Sequence, residues 1–528
     1  MPSLVLSVRC AGLKKFLTSA CVGLLLAACG TAVKPPAPVT DTSVPAAQPD
    51  NAPLPGQAVS QQIPPLPREF RAVWVSTVAN IDWPSRRDLS SERQKQEILQ
   101  ILDQAAQMRM NAIVLQVRPA ADAIYPSALE PWSEFLTGEQ GRAPNPVYDP
   151  LQFWIEQAHE RGMELHAWFN PFRARTASPK ATQARNHISR AAAQVVRNYG
   201  DQQWMDPGEP LARQHTLNVI ADVLRRYDVD GVHIDDYFYP YPVKNAQGTE
   251  VEFPDDAAWN RYLQSGGNLS RADWRRDNVN QLVRAIAEMV HQEKSWVKFG
   301  ISPFGIGRPD RLPPGITGFS QYDKLYADVE TWLANGWLDY LAPQLYWPIQ
   351  QTPQAFKVLL DYWQRQNTQQ RHIWPGLFTS KIDHSEKSWP ADEILNQVDA
   401  ARSMQAGGHI HFSMVSLAQN RKQIRQRLEQ EKYLTPALVP ATPWLENTNI
   451  APPQLSLSPA GKIRVQLPDP ANTRWLAVWK KTDQQWLFSY QPATQTEVSL
   501  YSPGPLRQIT VIAVNRSGQE SLPASLNF

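Results

Sequence analysis

The sequence predicts an α/β protein, a (β/α)8 TIM barrel followed by a small C-terminal β-sandwich. Two observations favour this fold class. Between residues 70 and 431, apolar runs of strand length alternate with helix-type segments, and after a proline-bearing stretch the pattern changes to strands alone. No Gly-rich dinucleotide or phosphate loop follows a strand, which argues against an open doubly wound sheet.

The N-terminus predicts an export signal that ends in a lipid attachment site. Lys14 and Lys15 precede an apolar stretch, 16–28, that is too short to span a bilayer as a stable helix. Small residues then lead into Cys29, a pattern that resembles the bacterial lipobox, in which the cysteine is acylated. The alternative is a plain signal peptide with a chance cysteine. Gly30, in place of an aspartate after the cysteine, implies sorting to the outer membrane, facing the periplasm.

Composition excludes several classes of protein. All three cysteines, Cys10, Cys21 and Cys29, lie in the first 29 residues, so the mature chain has neither disulfides nor cysteine-ligated metals. The formal net charge is only +2, and no block of Lys and Arg interleaved with aromatic residues occurs, so nucleic acid is not an expected partner. No cofactor is expected, and the chain is expected to be a monomer.

The chain divides into five segments by composition. The signal peptide, 1–29, precedes a Pro/Ala-rich tether, 30–67, which has too few large apolar residues to form a core. The barrel, 68–435, is followed by a linker, 436–453, and by a tail, 454–528. The tail, with its own β pattern, is expected to fold separately. Its last apolar run, with Gly518 and Glu520 beyond it, looks like the final hairpin of a fibronectin type III domain.

The elements of the barrel and tail follow from the apolar runs. Eight barrel strands are predicted at 70–78, 111–118, 163–170, 231–236, 297–302, 338–346, 372–378 and 409–415, with helices visible at 92–108, 151–160 and 391–403. In the tail, strands are predicted at 462–467, 475–479, 486–490, 496–501 and 507–515.

Side-chain alternation along each barrel strand predicts which polar groups point inward. In the fourth strand, Val232 and Ile234 suit the helix-facing side, which sends His233, Asp235 and Tyr237 inward. The same count on the other strands predicts a ring of polar and aromatic side chains at the end where active sites of such barrels lie: Ser76, Gln116, Arg118, His166, Trp168, Asn170, Ser302, Gln344 and Tyr346.

Asp235 and Asp236 are the adjacent carboxylates at a predicted strand end, and they predict acid-base chemistry. Cleavage of a glycosidic bond needs one carboxyl group to protonate the leaving oxygen and another to attack or stabilise the sugar cation. Asp236 can join Asp235 only if the strand has ended and the backbone turns, because strict alternation would point it at the helices. The alternative is an aspartate that caps the loop.

A metal site is the rival chemistry at the same strand ends. His166, His233 and Asp235 could form a set of two histidines and one carboxylate. No H-x-H or H-E-x-x-H spacing supports this set, and no metal is predicted.

At these residues the chain resembles the glycosyl hydrolase-like 10 family. The strings that carry the resemblance are RAVWVSTV (71–78), IDWP (81–84), QVRP (116–119), HAWFNPFR (166–173), DGVHIDDYFY (230–239), FGISP (299–303) and APQLYWP (342–348). The family implies a barrel glycosidase acting on envelope glycans, here the glycan strands of peptidoglycan. More distantly, Gly231-x-His233-x-Asp235 is similar to the fourth-strand motif of amylase-type barrels, whereas Tyr237 stands where chitinase-type barrels carry their acid.

The resemblance implies site residues, and it leaves the second carboxylate open. Asp235 is expected to be the central carboxylate and Asp236 its partner as general acid, with Asp82, Glu134, Asp206 and Asp323 as alternatives from loops. The expected substrate-binding side chains are Arg118, His166, Asn170, His233, Tyr237, Tyr239, Ser302, Gln344, Tyr346 and Trp347. The alternative functions are hydrolysis of another envelope or storage glycan, and a glycan-binding scaffold without catalysis.

Overall fold

The computed structural model describes residues 63–177, 182–445, 448–458 and 461–528. The predicted signal peptide, the lipobox cysteine Cys29 and the predicted tether up to residue 62 lie outside these ranges. Within them, no helix combines the length and the apolar character needed to cross a bilayer.

Strands form the centre of the main body and the whole of the tail. In chain order they are β1 (Phe70–Val75), β2 (Ala112–Arg118), β3 (Glu164–Phe169), β4 (Arg173–Arg175), β5 (Val196–Tyr199), β6 (Gln202–Met205), β7 (Gly231–Ile234), β8 (Lys298–Ile301), β9 (Tyr340–Leu341), β10 (His372–Ile373), β11 (Gly376–Leu377), β12 (Gly408–His411), β13 (Gln454–Leu457), β14 (Lys462–Gln466), β15 (Trp475–Thr482), β16 (Trp486–Pro492), β17 (Glu497–Ser499), β18 (Leu506–Val514) and β19 (Ala524–Asn527).

Helices connect the strands of the main body. They are α1 (Ser91–Gln107), α2 (Glu134–Thr137), α3 (Pro150–Glu160), α4 (Ile188–Ala191), α5 (Pro210–Arg226), α6 (Asp256–Gln264), α7 (Arg271–Glu293), α8 (Gln321–Lys324), α9 (Val329–Ala334), α10 (Phe356–Gln366), α11 (Ala391–Ser403), α12 (Met414–Ala418) and α13 (Ile424–Arg427).

The central sheet is parallel and curls round on itself. Its order is β10-β9-β8-β7-β3-β2-β1-β12-β11. Only Trp374 and Pro375 separate β10 from β11, so the two ends of the sheet meet at one chain segment. Each of the eight predicted strand positions holds a strand of this sheet. We call the edge where these strands end the mouth.

Apolar side chains pack on both sides of the curled sheet. Outward-facing residues such as Val73 and Leu115 form one large cluster with the helices. Inward-facing residues such as Phe70, Trp74 and Trp374 form a second cluster inside the sheet. Gly231 lies in β7 because a Cβ atom there would stand 2.4 Å from Nδ1 of His166, whose ring fills that space.

A small antiparallel sheet, β4-β6-β5, is inserted between β3 and β7. No sequence pattern predicts this sheet. Its strands are three or four residues long and carry charged and polar side chains such as those of Arg173, Arg197 and Gln203, so they show no alternation of apolar residues.

The tail consists of two antiparallel sheets, β13-β14-β17 and β16-β15-β18-β19, as expected for a small sandwich. Ile463 and Val465 of one sheet share a core with Val478 and Val511 of the other. The first and last strands, β13 and β19, were not predicted. They are four residues each, and half of their side chains or more are exposed, so neither shows an apolar run.

The tail packs against the amino edge of the curled sheet, opposite the mouth. The hydroxyl of Tyr490 donates to the carbonyl oxygen of Gly162, just before β3, over 3.1 Å. From the segment predicted as a linker, Trp444 Nε1 donates to Asp339, just before β9, over 2.7 Å. The end of the predicted tether is also packed here, because Leu66 is 7% exposed and lies in a cluster with Trp475.

Candidate active site

Two adjacent carboxylates, Asp235 and Asp236, lie at the mouth, directly after β7. They are 3% and 4% exposed. β7 runs between β3 and β8, and its residues Val232 and Ile234 belong to the outer apolar cluster, as the alternation predicts. The strand therefore carries the pair to the point where the loops after the parallel strands converge.

Asp235 accepts hydrogen bonds from the end of the neighbouring strand. Its Oδ2 accepts from Trp168 Nε1 over 2.9 Å and from Asn170 Nδ2 over 3.3 Å, while Oδ1 faces the backbone N–H of Tyr237 at 3.4 Å. Burial raises the pKa of the Asp235 carboxyl to about 7, against the lowering effect of Arg173, and the charge of Asp236 adds to the rise. A proton on Asp235 is therefore available near neutral pH.

Asp236 points into the same space because β7 ends at Ile234. The backbone turns there, with the N–H of Phe238 donating to the carbonyl of Asp236 over 3.1 Å. Oδ2 of Asp236 accepts from the hydroxyl of Tyr241, and its carboxylate also takes a hydrogen bond from Gln344. Burial raises the pKa of Asp236 while these two donors lower it.

Arg173 places a positive charge beside both carboxylates, and it is not among the site residues predicted from the sequence. Its guanidinium donates to the carbonyl of Pro119 over 3.0 and 2.9 Å and lies 4.7 Å from the centre of the Tyr237 ring. Its charge lowers the pKa of Asp235 and of Asp236. The signal that could have found it is its position three residues after Asn170, whose Oδ1 accepts from the Arg173 N–H over 2.9 Å.

His166 and His233, expected to bind substrate, lie below the mouth inside the sheet. Trp74 Nε1 donates to Nε2 of His233 over 3.2 Å, so the His233 proton is on Nδ1 and donates to Tyr340, 2.9 Å away. Tyr340 then donates to Nδ1 of His166 over 2.9 Å, and Nε2 of His166 donates to Glu164 over 3.0 Å. Both histidines have no exposed surface, so in this conformation they offer nothing to a ligand.

Arg118 and Tyr239 are also fully buried rather than open to the mouth. Arg118 forms an ion pair with Glu130, with its Nε 2.9 Å from Oε2, and donates to the carbonyl of Asn170 over 2.6 Å. Burial alone raises the pKa of Glu130, but Arg118 and His215 hold it at about 2. Tyr239 is 1% exposed and packs on Phe253 and Tyr326. Arg118 therefore braces the backbone that positions Asn170.

The remaining predicted binding residues lie at the mouth. Ser302 Oγ lies 2.9 Å from His233 Nε2, and Gln344 Nε2 donates to the Ser302 carbonyl over 2.9 Å. Tyr346 stacks on Phe378 with 4.8 Å between ring centres. Tyr237, Gln344, Tyr346 and Trp347 are half-buried, so part of each side chain faces open space.

The four loop carboxylates proposed as alternatives each hold another part of the fold. Asp82 joins the loops after β1 and β12, accepting from Ser76 N over 2.8 Å and from Val415 N over 2.6 Å, and burial raises its pKa to about 6. Asp206 forms an ion pair with Arg197, and Glu134 forms one with Arg87. The carboxylate of Asp323 accepts from Oγ of Ser320, the residue that caps α8, over 2.8 Å. Asp236 is the carboxylate whose charge acts on Asp235.

The geometry does not assemble the rival metal set. Within the described ranges, no group of three or more His, Cys, Asp or Glu side chains is arranged to hold a metal ion. His166 uses its two ring nitrogens for Tyr340 and Glu164, and His233 uses its own for Tyr340, Ser302 and Trp74. What the mouth offers instead is a pair of buried carboxyl groups that can give and take a proton.

Comparison with known proteins places this chain among glycosyl hydrolases. The model of the family described as glycosyl hydrolase-like 10 matches residues 69–391. The glycosyl hydrolase YngK of Bacillus subtilis (strain 168) is 42% identical over 399 residues, which are 74% of this chain and 76% of that protein. The glycosyl hydrolase DigH of Escherichia coli (strain K12) is 36% identical over 313 residues, 56% of this chain and 69% of that protein.

Solved structures that the comparison finds are far more distant in sequence. The PgaB (BpsB) glycoside hydrolase domain from Bordetella bronchiseptica is 14% identical, with a TM-score of 0.45, and the match covers 69% of this chain and 98% of that one. An endo-1,4-β-mannanase from Rhizomucor miehei is 9% identical, with a TM-score of 0.43, covering 70% of this chain and 97% of that one.

Proposed function

This chain belongs to the glycosyl hydrolase-like 10 family and is a glycoside hydrolase, and from that premise we propose that it cleaves the glycan strands of peptidoglycan after their peptides have been removed. The observation that carries the proposal is the buried pair Asp235 and Asp236, surrounded by amide donors and aromatic rings at the mouth. Amides such as those of Asn170 and Gln344 suit the hydroxyl and acetamido groups of N-acetylated sugars.

The two carboxyl groups take different parts in the proposed reaction. Asp235 has a pKa raised to about 7, and among the described residues its Oδ1 takes only one long contact, from a backbone N–H. It is the group that holds the proton for the leaving oxygen. Asp236, which takes hydrogen bonds from Tyr241 and Gln344, is the anion that stabilises positive charge on the sugar. This exchanges the roles expected from the sequence, where Asp236 was the acid.

Substrate preference is tested with purified full-length protein and two forms of the same polymer. One is glycan freed of peptides by an amidase, and the other still carries its peptides. We expect soluble fragments from the first and few or none from the second. Equal release from both would remove the requirement for bare strands. If neither is cleaved but another envelope polysaccharide is, the substrate is that polysaccharide.

A glycan-binding scaffold is the alternative, and the same experiment distinguishes it. If wild-type protein binds bare strands in a sedimentation assay and releases no products over long incubation, the catalytic proposal fails and the scaffold remains. Asp235→Asn is the matched control, because an enzyme loses products with this variant whereas a scaffold retains the same binding.

We further propose that the protein is a monomeric lipoprotein of the bacterial outer membrane, with the enzyme in the periplasm. Support comes from the apolar stretch before Cys29 and from Gly30 after it. Cys29→Ala should leave the protein exported but free of the membrane, and membrane fractionation checks this. Recovery of the variant in the outer membrane would contradict lipid anchoring.

The finer fold assignment is a proposal as well. The curled sheet, whose two ends meet at Trp374 and Pro375, is consistent with a complete (β/α)8 barrel. The tail, with sheets of three and four strands around one core, is consistent with a fibronectin type III domain. An experimental structure of the full chain would test both.

A further inference from the structure

Aromatic rings form a continuous arc along one half of the mouth, beginning at the carboxylate pair. Tyr241, whose hydroxyl donates to Asp236, stacks on Phe319 with 5.2 Å between ring centres. Phe319 meets Phe304 at 5.1 Å, and Phe304 meets Trp347 at 5.5 Å. We call these four residues the aromatic arc. All four are half-buried, so each ring packs on the core and also keeps some exposed surface.

The arc is assembled from three consecutive loops. Tyr241 follows β7, Phe304 and Phe319 follow β8, and Trp347 follows β9. Four side chains from three consecutive loops cannot meet by local sequence alone, which explains why no periodic pattern predicts the arc.

The backbone holds the arc in place. A Cβ atom at Gly305 would lie 2.8 Å from the Trp347 ring and 2.3 Å from the Gln344 carbonyl oxygen, so the chain passes flat against the indole. Gln321 Nε2 donates to the carbonyl of Phe304 over 2.8 Å, and Gln397 Nε2 donates to the carbonyl of Trp347 over 3.1 Å. The rings therefore form a fixed surface rather than a set of loose side chains.

The opposite half of the mouth differs in chemistry. There the side chain of Gln116 accepts from Ser76 Oγ over 3.2 Å and from the backbone N–H of Val78 over 2.9 Å. The polar groups on that half are thus bonded mainly to one another. A pyranose ring has an apolar face of C–H groups and a polar rim, and aromatic surfaces such as the arc stack on that face.

We propose that the aromatic arc is a subsite for pyranose units remote from the cleaved bond, so that the enzyme acts best on a glycan chain long enough to cover Phe319 and Trp347. This inference rests on the proposed function of the carboxylate pair. It adds to the residues expected from the sequence a binding residue, Phe319, whose ring pairs with Tyr241 and Phe304.

The test compares Phe319→Ala with wild-type protein on bare, β-linked N-acetylated oligosaccharides of increasing length. The wild-type kcat/KM should rise with chain length. Phe319→Ala should lower kcat/KM about tenfold on long chains, because one good stacking contact is lost. On the shortest cleaved substrate, kcat/KM should stay within about twofold of the wild-type value. Phe153→Ala, a half-buried ring on the outer helix α3, is the control and should change neither value.

Two outcomes would overturn the proposal. Equal loss at every chain length would mean that Phe319 supports Tyr241 and the carboxylates, and no loss at any length would mean that the arc binds nothing. Failure of the proposed function is a separate result. If wild type releases no products, the contribution of the arc to binding is still measurable. The Kd for long bare strands is then compared between Asp235→Asn and the double variant Asp235→Asn with Phe319→Ala, and we expect about a tenfold difference.

Discussion

Arg474, in the tail, donates from Nη2 to the carboxylate of Asp230, 3.1 Å away, and Asp230 is the residue immediately before β7. The same carboxylate accepts the backbone N–H of Leu165 in β3 over 2.9 Å. Burial alone raises the pKa of Asp230, but Arg474, His159 and Arg516 hold it well below its usual range. The tail therefore fixes the amino ends of the two strands whose carboxyl ends carry the site.

Removing the two arginines should destabilise the protein more than it affects catalysis. The double change Arg474→Ala and Arg516→Ala leaves Asp230 buried with one remaining side-chain partner, His159, which should cost about 3 kcal/mol and lower Tm by several degrees. Activity measured well below Tm should stay within about twofold of wild type. Arg507→Ala, which breaks an exposed pair with Asp483, is the control and should shift Tm little. An unchanged Tm for the double variant would contradict this account of the tail.

Asp235→Asn should abolish most catalysis without disturbing the fold. Asparagine is nearly isosteric, and it cannot donate a carboxylic proton. We expect at least about a hundredfold lower kcat on bare glycan strands, measured as released reducing ends, with an unchanged circular dichroism spectrum. An aryl glycoside with a good leaving group needs no acid, so it should recover part of the rate with Asp235→Asn and none with Asp236→Asn. The reverse pattern would make Asp236 the acid.

The raised pKa of Asp235 also predicts a dependence of stability on pH. The pKa is about 7 in the folded chain, and its ordinary value is 3.8. Between these values the folded chain holds a proton that the unfolded chain has released, so the free energy of unfolding falls as the pH rises. Asp235→Asn lacks this titration and should gain stability relative to wild type between pH 4 and 7, by at most about 4 kcal/mol. Denaturant titrations at each pH measure the free energy of unfolding of both proteins. If the two free energies change with pH in parallel, the prediction is wrong.

Tyr241→Phe should weaken catalysis through Asp236. Without the hydroxyl donor, the pKa of Asp236 rises further and less of it is anionic at neutral pH. We expect kcat to fall about tenfold at pH 7, with the acidic limb of the pH profile moved to higher pH. Tyr322→Phe is the matched control, since that hydroxyl bonds to no described residue. A uniform loss at all pH values would point to packing instead.

The strands of the curled sheet were predictable because their outward faces are continuous apolar runs. Val232 and Ile234 set the position of β7, and the same alternation indicated that His233 and Asp235 point inward. Alternation does not say how deep an inward side chain lies. His233 is fully buried in the filled interior, whereas Asp235, two residues further along the chain, reaches the mouth. Depth, rather than direction, separates the network inside the sheet from the site.

The partners of the carboxylates could not be predicted in the same way. Tyr241 comes from a loop and Arg173 from the short strand β4, where no period marks the side that faces the mouth. The contacts of the tail were equally hidden, because Arg474 and Asp230 are far apart in the chain and each alone looks like a surface residue. Long-range pairing of this kind is decided by the packing of elements, not by local propensity.

The position of the tail at the amino edge also has a consequence for the order in which the protein is made. Arg474 and Arg516, which brace the sheet, emerge during synthesis after every strand of that sheet. Until then Asp230 lacks two of its cationic partners. A nascent chain halted before the tail would thus carry a complete catalytic sequence with an unsupported β7, a state in which quality-control proteases could recognise it as unfinished.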